Sequence, residues 1–213
     1  MANVLSINVG VAQPLIAGNK VVQSGIFKRA VEGAVEVRAT GLAGDVRCDH
    51  LLKNAVERAV YAYPSEHYAF WRNEFPGMDL KFGTFGENLT TQGILDEEVF
   101  IGDRYLVGSA VLTVTQPRMP CYKLAARLVR PDIIERMIAA QRHGFFFSVT
   151  QQGAINLGDK FQLVHREPAS ISVPDAAGLY TGRVRDARLV ERAQTLEALP
   201  AKWKNKFVQR AGA

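Results

Sequence analysis

The segment from 116 to 124 reads Gln-Pro-Arg-Met-Pro-Cys-Tyr-Lys-Leu and holds the residues best suited to chemistry. Pro117 and Pro120 restrict the backbone just before Cys121, at a corner between a predicted strand and a predicted helix. At a helix start, free N–H groups and the helix dipole favour a thiolate, and Arg118 adds a nearby positive charge. A thiolate here can ligate a metal or act as a nucleophile; the alternative is a small buried core residue.

Positive charge is concentrated around this cysteine. Between residues 103 and 132 there is no acidic residue, whereas five basic residues occur there: Arg104, Arg118, Lys123, Arg127 and Arg130. At about 100° per residue, a helix beginning at Cys121 turns Arg127 and Arg130 to the opposite side. We therefore expect these two to be solvated, and Arg118 to be the better anion-binding residue.

Other familiar site patterns are missing from the chain. The four histidines are scattered, and Cys48 with His50 supplies only two metal ligands. No glycine-rich phosphate loop or Gly-x-Ser-x-Gly motif occurs, so nucleotide hydrolysis and dinucleotide binding have no support. Two cysteines cannot form a disulfide scaffold, which favours a reducing cytoplasm as the location.

The charge is unevenly distributed along the 213 residues. The chain has 26 basic and 21 acidic residues, a net charge of +5, and all of this excess lies between 183 and 213. The neutral remainder argues against a large nucleic-acid-binding face, although the tail could contact an anionic partner. No apolar run approaches the about 18 residues of a membrane span, and no export signal is visible.

Periodicity predicts short strands and a few helices in the body. The expected strands cover residues 4–9, 31–40, 84–91, 98–101, 104–107, 110–115, 144–150 and 161–164. The expected helices cover residues 64–75, 121–130 and 132–140, and three more follow at 174–180, 184–196 and 200–210. We predict a mainly β, barrel-like domain over residues 1–167, and a three-helix extension over residues 168–213.

Six ordered motifs resemble the MOSC domain, in its bacterial YiiM-like branch. They are Ser24-Gly-Ile-Phe-Lys28, Gly41-Leu-Ala-Gly-Asp45, Ala59-Val-Tyr-Ala-Tyr-Pro64, Glu66-His-Tyr68, Phe85-Gly-Glu-Asn-Leu89 and Gln116–Leu124. The resemblance runs from about residue 6 to residue 165, and the helical tail is similar to the extension of that branch.

The resemblance implies a molybdenum cofactor, a pterin dithiolene that bears a phosphate. Cys121 would ligate molybdenum as a thiolate, which suits a soft ligand. The residues implied to hold or surround the cofactor are Lys28, Gly86, Glu87, Asn88, Arg118 and Lys123. Lys53 is a further candidate for the cofactor phosphate, at a place where this chain departs from the family pattern. Relatives reduce N-hydroxylated bases, amidoximes and hydroxylamines, so we expect an oxidoreductase acting on such a small molecule.

The resemblance also bears on partners. Two cysteines are too few for an iron–sulfur cluster, which commonly needs about four, so a separate protein would deliver the electrons. A homodimer is compatible with the sequence, and no membrane partner is expected.

One departure from the family pattern concerns a His-Gly-Gly loop. This chain has Lys53-Asn54-Ala55 at that place, which removes a proton-transfer group and two conformationally free glycines. Lys53 would still add positive charge. The loop keeps a second hypothesis open, a non-catalytic protein that binds a pterin, another anion or a sulfur species.

Overall fold

The computed structural model describes residues 2–48 and 55–212. In these two ranges thirteen strands occur: β1 (Asn3–Gly10), β2 (Gln13–Ala17), β3 (Lys20–Ser24), β4 (Lys28–Val31), β5 (Val35–Arg38), β6 (Gly41–Leu42), β7 (Val60–Pro64), β8 (Leu89–Gln92), β9 (Arg104–Val107), β10 (Ala110–Pro117), β11 (Phe145–Gln151), β12 (Gly153–Ile155) and β13 (Gln162–His165). The helices are α1 (Ser65–Glu74), α2 (Tyr122–Leu128), α3 (Ile133–Ala140), α4 (Val173–Thr181), α5 (Ala187–Thr195) and α6 (Ala201–Ala211).

The main sheet has eight strands in the order β13-β9-β10-β11-β7-β8-β1-β4. Its pairs are antiparallel except β7 and β8, which run parallel. A three-stranded sheet (β12-β5-β6) and the β2–β3 hairpin complete the strands. The mixed, β-rich fold with C-terminal helices is confirmed, but the end strands β13 and β4 do not pair in the described ranges, so the sheet is not a closed barrel.

Apolar side chains cover both faces of the sheet. Because side chains alternate along a strand, Val60 and Ala62 of β7 join one core cluster while Tyr61 and Tyr63 join another. The first cluster includes the buried faces of α4, α5 and α6, and the second includes those of α1, α2 and α3. The C-terminal helices thus share a core with the sheet.

Three of the predicted strands, at 31–40, 84–91 and 98–101, are shorter in the structure than predicted, divided, or absent as strands. The segment 31–40 is divided between β4 and β5, which lie in different sheets, because Gly33 has a φ of 78° and interrupts the extended backbone. The segment 84–91 is extended only from Leu89, after a turn in which Gly86 has a φ of 84°. Residues 98–101 contain the end of a 3₁₀ turn and one isolated bridge, from Phe100 to Ser172.

The six helices occur where the sequence predicts them, within three residues at each end. In the described part of the chain, no helix combines the length and the apolar composition that crossing a membrane requires.

Candidate functional site

Cys121 lies at the junction between the longest strand pair and a helix. β10 ends at Pro117, and Cys121 is the residue that caps α2, with extended backbone angles of −138° and 170°. Its side chain is partly buried. The two prolines of this corner fix the direction in which the thiol leaves the sheet.

Arg118 is held against the thiol by several contacts. It is 9% exposed, and its Nη2 lies 4.0 Å from the sulfur of Cys121. Its guanidinium also lies over the ring of Tyr61, 5.6 Å from the centroid, and donates to the carbonyl of Met119 at 2.9 Å. Its backbone N–H donates to the carbonyl of Gly144 at 3.1 Å. Arg118 is therefore a positioned cation rather than a mobile surface charge.

Electrostatics at this corner favour the thiolate. Burial by itself raises the pKa of the Cys121 thiol, but the positive charge of Arg118 opposes this. The backbone N–H groups of Lys123 and Leu124 lower the pKa further. The net pKa of Cys121 is below the ordinary value for a cysteine, so the sulfur is a better ligand and nucleophile than a free thiol.

Cys121 lines a cavity of about 180 Å³, which we call the sulfur cavity. Its wall consists of Gly25, Ile26, Lys28, Asp45, Val46, Arg47, Cys48, Arg58, Tyr61, Gly86, Asn88, Arg118, Cys121, Lys123 and Phe146. Five of these residues are basic and one is acidic. The structure thus brings together five of the residues proposed from the sequence: Lys28, Gly86, Asn88, Arg118 and Lys123.

Lys28 and Asn88 are braced by one carboxylate. Asp45 accepts hydrogen bonds from the Lys28 ammonium and from Asn88 Nδ2, the latter at 2.9 Å. Burial lowers the pKa of Lys28, and the charge of Asp45 partly offsets that effect. Asn88 Nδ2 also donates to the carbonyl of Asn8 at 3.3 Å, and Asn88 Oδ1 accepts from Tyr61 N–H at 3.1 Å. Both amide hydrogens of Asn88 are engaged, so it shapes the wall instead of offering hydrogen bonds to a ligand.

Glu87 does not line the sulfur cavity, contrary to the expectation from sequence. Its side chain is fully buried, and Oε1 accepts from Tyr68 Oη, from Gly83 N–H at 2.6 Å and from Thr90 Oγ1 at 2.9 Å. Burial raises the pKa of Glu87, although these donors lower it in part. Its role in the structure is to organise the turn before β8.

Lys53 and Asn54 lie outside the described residues, so the expectation for Lys53 stays a prediction. The side chain of Arg47 spans the two sides of that segment. It donates to the carbonyl of Thr40 at 2.6 Å and to that of Ala55 at 2.8 Å.

Several residues of the wall were not predicted from the sequence. Arg47 and Cys48 follow the Gly41–Asp45 motif directly, which is the signal that would have suggested them. Phe146 is a further wall residue: it lies in β11 between the buried Phe145 and Phe147, and alternation along the strand turns it toward the cavity.

Arg127 was predicted to be solvated, and this was wrong. Its guanidinium crosses to the loop before β4, where it donates to the carbonyl of Ile26 and lies 5.4 Å from the centroid of Phe27. It thereby ties α2 to the wall of the sulfur cavity. Arg130 is more open and pairs with Asp132, the Nη2–Oδ2 distance being 2.7 Å.

A buried carboxylate also supports Arg118 from behind. Asp96 accepts the N–H groups of His143 and Gly144 at 3.2 and 2.7 Å, and lies 2.5 Å from His67 Nε2. Gly144 is the residue whose carbonyl binds Arg118, and a Cβ there would approach the carbonyl oxygen of Ala62 to 2.4 Å. Burial lowers the pKa of His143 to about 4, so this histidine is neutral at pH 7.

The side chains at the sulfur cavity fit an anionic group that a thiolate ligates. Cys121 supplies a soft sulfur donor, and Arg118 and Lys123 supply positive charge on the same side. Gly25 is needed for close packing of the cavity wall, because a Cβ there would come within 1.9 Å of the carbonyl oxygen of Val46. Within the described ranges, no group of three or more His, Cys, Asp and Glu side chains is placed to hold a metal ion.

Comparison with known families adds an independent observation. Residues 42–162 match the model of the MOSC domain family. The chain is 34% identical to the uncharacterized protein YflK of Bacillus subtilis over 208 residues, which cover 98% of this chain and 94% of YflK.

Two further relatives are informative. A protein named reductase from Gibberella moniliformis is 40% identical over 150 residues, which are 68% of this chain but only 26% of the fungal protein. The crystal structure of YiiM from Geobacillus stearothermophilus superposes with a TM-score of 0.81 at 31% identity, and covers 99% of this chain and 100% of that one.

Proposed function

Because this chain belongs to the MOSC domain family, in its YiiM-like branch, we propose that it is a molybdenum-cofactor-dependent reductase of N-hydroxylated compounds. One observation carries the proposal: a thiol of lowered pKa belongs to the wall of a cavity in which five of the six charged side chains are basic. The reductase name of the fungal relative supports the same reaction class.

The roles of the side chains follow from their positions. In this proposal the Cys121 thiolate would hold the molybdenum, and Arg118 and Lys123 would bind the phosphate and the pterin. Lys28 contributes less free charge, since Asp45 already neutralises it. A bound cofactor supplies two-electron redox chemistry at the metal, while the protein orients both the cofactor and the substrate.

The overall reaction is balanced by an external electron donor. The N–O bond of the substrate is broken, and two electrons and two protons convert the oxygen to water and leave the reduced nitrogen. With two cysteines in the whole chain, an iron–sulfur cluster of the usual four thiolates cannot form. The electrons therefore come from a separate redox protein in this proposal.

Metal analysis of the Cys121→Ser variant tests the proposal. We expect protein made in a cofactor-competent host to carry molybdenum and pterin at about one per chain. We expect Cys121→Ser to retain less than about a tenth of the molybdenum, because the serine hydroxyl stays protonated near pH 7 and does not replace the thiolate. The Cys48→Ser variant is made in parallel, since Cys48 lines the same cavity. Loss of metal in Cys48→Ser but not in Cys121→Ser would reassign the ligand, and wild-type protein that binds no cofactor would refute the proposal.

The alternative is a non-catalytic binding protein, which the Lys53-Asn54-Ala55 loop suggests. A reductase assay of the triple variant Lys53→His, Asn54→Gly, Ala55→Gly, beside the wild-type protein, distinguishes this alternative from the reductase. We expect the wild-type protein to reduce an amidoxime. Reduction only by the triple variant, with cofactor bound in both proteins, would make the natural chain a binder.

A further inference from the structure

A second cavity, of about 340 Å³, lies beside the sulfur cavity and is lined partly by the C-terminal helices. The two cavities share five residues: Arg58, Arg118, Cys121, Lys123 and Phe146. Cys121 therefore lines both spaces. The second cavity has the volume of a small-molecule site, which is typically about 300–1,000 Å³.

An orphaned polar atom lies in the wall of the second cavity. Gln116 is 1% exposed and lines this cavity, and its Oε1 has no hydrogen-bond partner among the described residues. Leaving a buried acceptor unsatisfied costs stability, so native proteins seldom do it without a reason. A ligand that carries an N–H donor would satisfy this oxygen.

The rest of the wall is aromatic and basic. Phe146 and Tyr180 present rings, and Tyr180 packs on Trp203 with their centroids 4.4 Å apart. Lys202 lies at the exposed side. Such rings favour a flat ligand, and the lysine favours a negative charge.

The basic character continues outward from the second cavity. An adjoining depression shares Tyr180 and Lys202 with it and adds Lys206. In the described part of the chain, neither space is lined by an acidic side chain. A ligand that extends from the second cavity into this depression therefore meets the positive charges of Lys202 and Lys206.

We propose that the second cavity is the substrate chamber, and that it takes a flat N-hydroxylated molecule with an N–H donor for Gln116 and an anionic group for Lys202. This rests on the proposed function for the identity of the reacting group. The C-terminal extension thus contributes Tyr180, Lys202 and Trp203 to substrate binding. None of these residues belongs to the motifs that carry the family resemblance.

Fluorescence can follow binding without turnover. The chain has two tryptophans, so a Trp71→Phe protein reports from Trp203 alone. The probes are benzamidoxime, which is flat and neutral, and 4-carboxybenzamidoxime, which adds one negative charge. We expect both to change the Trp203 emission, and the carboxylated probe to bind about tenfold more tightly.

Two variants test the two contacts. Gln116→Met keeps the volume and removes the acceptor, so we expect about tenfold weaker binding of both probes and no decrease in melting temperature. If Gln116 had only a structural role, Gln116→Met would lower the melting temperature and leave the binding of both probes unchanged. Lys202→Glu should remove the preference for the carboxylated probe. Arg188→Glu, an equal charge change on exposed α5 away from the cavity, should keep that preference.

Each result has a defined meaning. The proposed substrate chamber would be wrong if the probes did not change the Trp203 emission, or if neither Gln116→Met nor Lys202→Glu changed the probe affinities. This holds even if the protein binds molybdenum. Probe binding to a protein that fails to bind molybdenum would leave the chamber standing and refute the reductase. If Lys202→Glu weakens only the docking of an acidic electron-donor protein, the basic rim is a protein interface and the proposal is wrong.

Discussion

Arg118 connects the chemistry of the site to the fold. Its side chain lies between the sulfur of Cys121 and the ring of Tyr61, and its backbone is bound to Gly144. The charge that lowers the pKa of Cys121 therefore comes from a residue that the surrounding structure holds in place. Sequence spacing alone identified Arg118 correctly as a neighbour of the thiol, because only two residues lie between them in the chain.

Substitution of Arg118 should change the titration of the thiol. In a Cys48→Ser background, alkylation of Cys121 by iodoacetamide is measured against pH. Arg118→Leu removes the stabilising charge and leaves the burial, so the pKa rises, the rate curve moves to higher pH, and alkylation at pH 7 slows severalfold. The rate curve of Arg118→Lys should lie between those of the parent protein and Arg118→Leu. The exposed control Arg185→Leu should leave the curve unchanged. An unchanged curve in Arg118→Leu would show that another group stabilises the thiolate.

At the scale of elements, α2 is the helix that joins the two walls of the sulfur cavity. Its first residues follow Cys121, and Arg127 ties its far end to the carbonyl of Ile26. The helix is followed by its C-terminal capping residue, Val129, which has a φ of 52° and is 83% exposed. A β-branched residue is strained in this left-handed conformation, which usually takes glycine.

Val129→Gly should therefore stabilise the protein by about 1 kcal/mol, since relief of the strain exceeds the added entropy of the unfolded chain. The measurement is urea unfolding. The matched control is Val208→Gly in α6, an exposed valine inside a helix, which should lose up to about 1 kcal/mol because glycine is a poor helix former. If Val129→Gly destabilises as much as the control, the apolar contacts of Val129 outweigh its backbone strain.

At the scale of the whole molecule, the C-terminal helices are joined to the sheet by a common apolar core. Trp203 and Phe207 of α6 belong to the same cluster as Val60 and Ala62 of β7. Tyr61 and Tyr63, on the other face of β7, belong to the cluster that contains Trp71. The chain should therefore unfold as one unit, although the sequence predicts two regions divided at 167.

The two tryptophans make this testable, because Trp71→Phe leaves a reporter in the extension and Trp203→Phe leaves one in the body. We expect both proteins to show a single urea transition. In each protein, the midpoint measured by tryptophan fluorescence should equal the midpoint measured by circular dichroism. Phe207→Ala, introduced into each protein, should lower the free energy of unfolding reported by Trp203 and by Trp71 equally, by about 3–5 kcal/mol. If only the Trp203 signal shifts, the extension is an independent folding unit.

Much of the fold was predictable because its signals are local. Proline and glycine punctuation located the helices, and the corner at Pro117–Cys121 was recognised from one short segment. The segment 31–40 shows the limit of this reasoning. Its alternation predicts strand correctly, but only the positive φ at Gly33 and the pairing of β4 with β1 and β5 with β12 divide it between two sheets.

The sequence by itself determined the family, the thiol at a rigid corner, and the positive charge beside it, since all of these are properties of residues close together in the chain. Tertiary structure alone decided which side chains share the space around the sulfur. Arg127 reaches Ile26 across 101 positions, Phe146 faces the cavity through its place in β11, and Gln116 meets the C-terminal helices. These contacts depend on how distant elements pack, and packing is fixed by the whole core rather than by any local pattern.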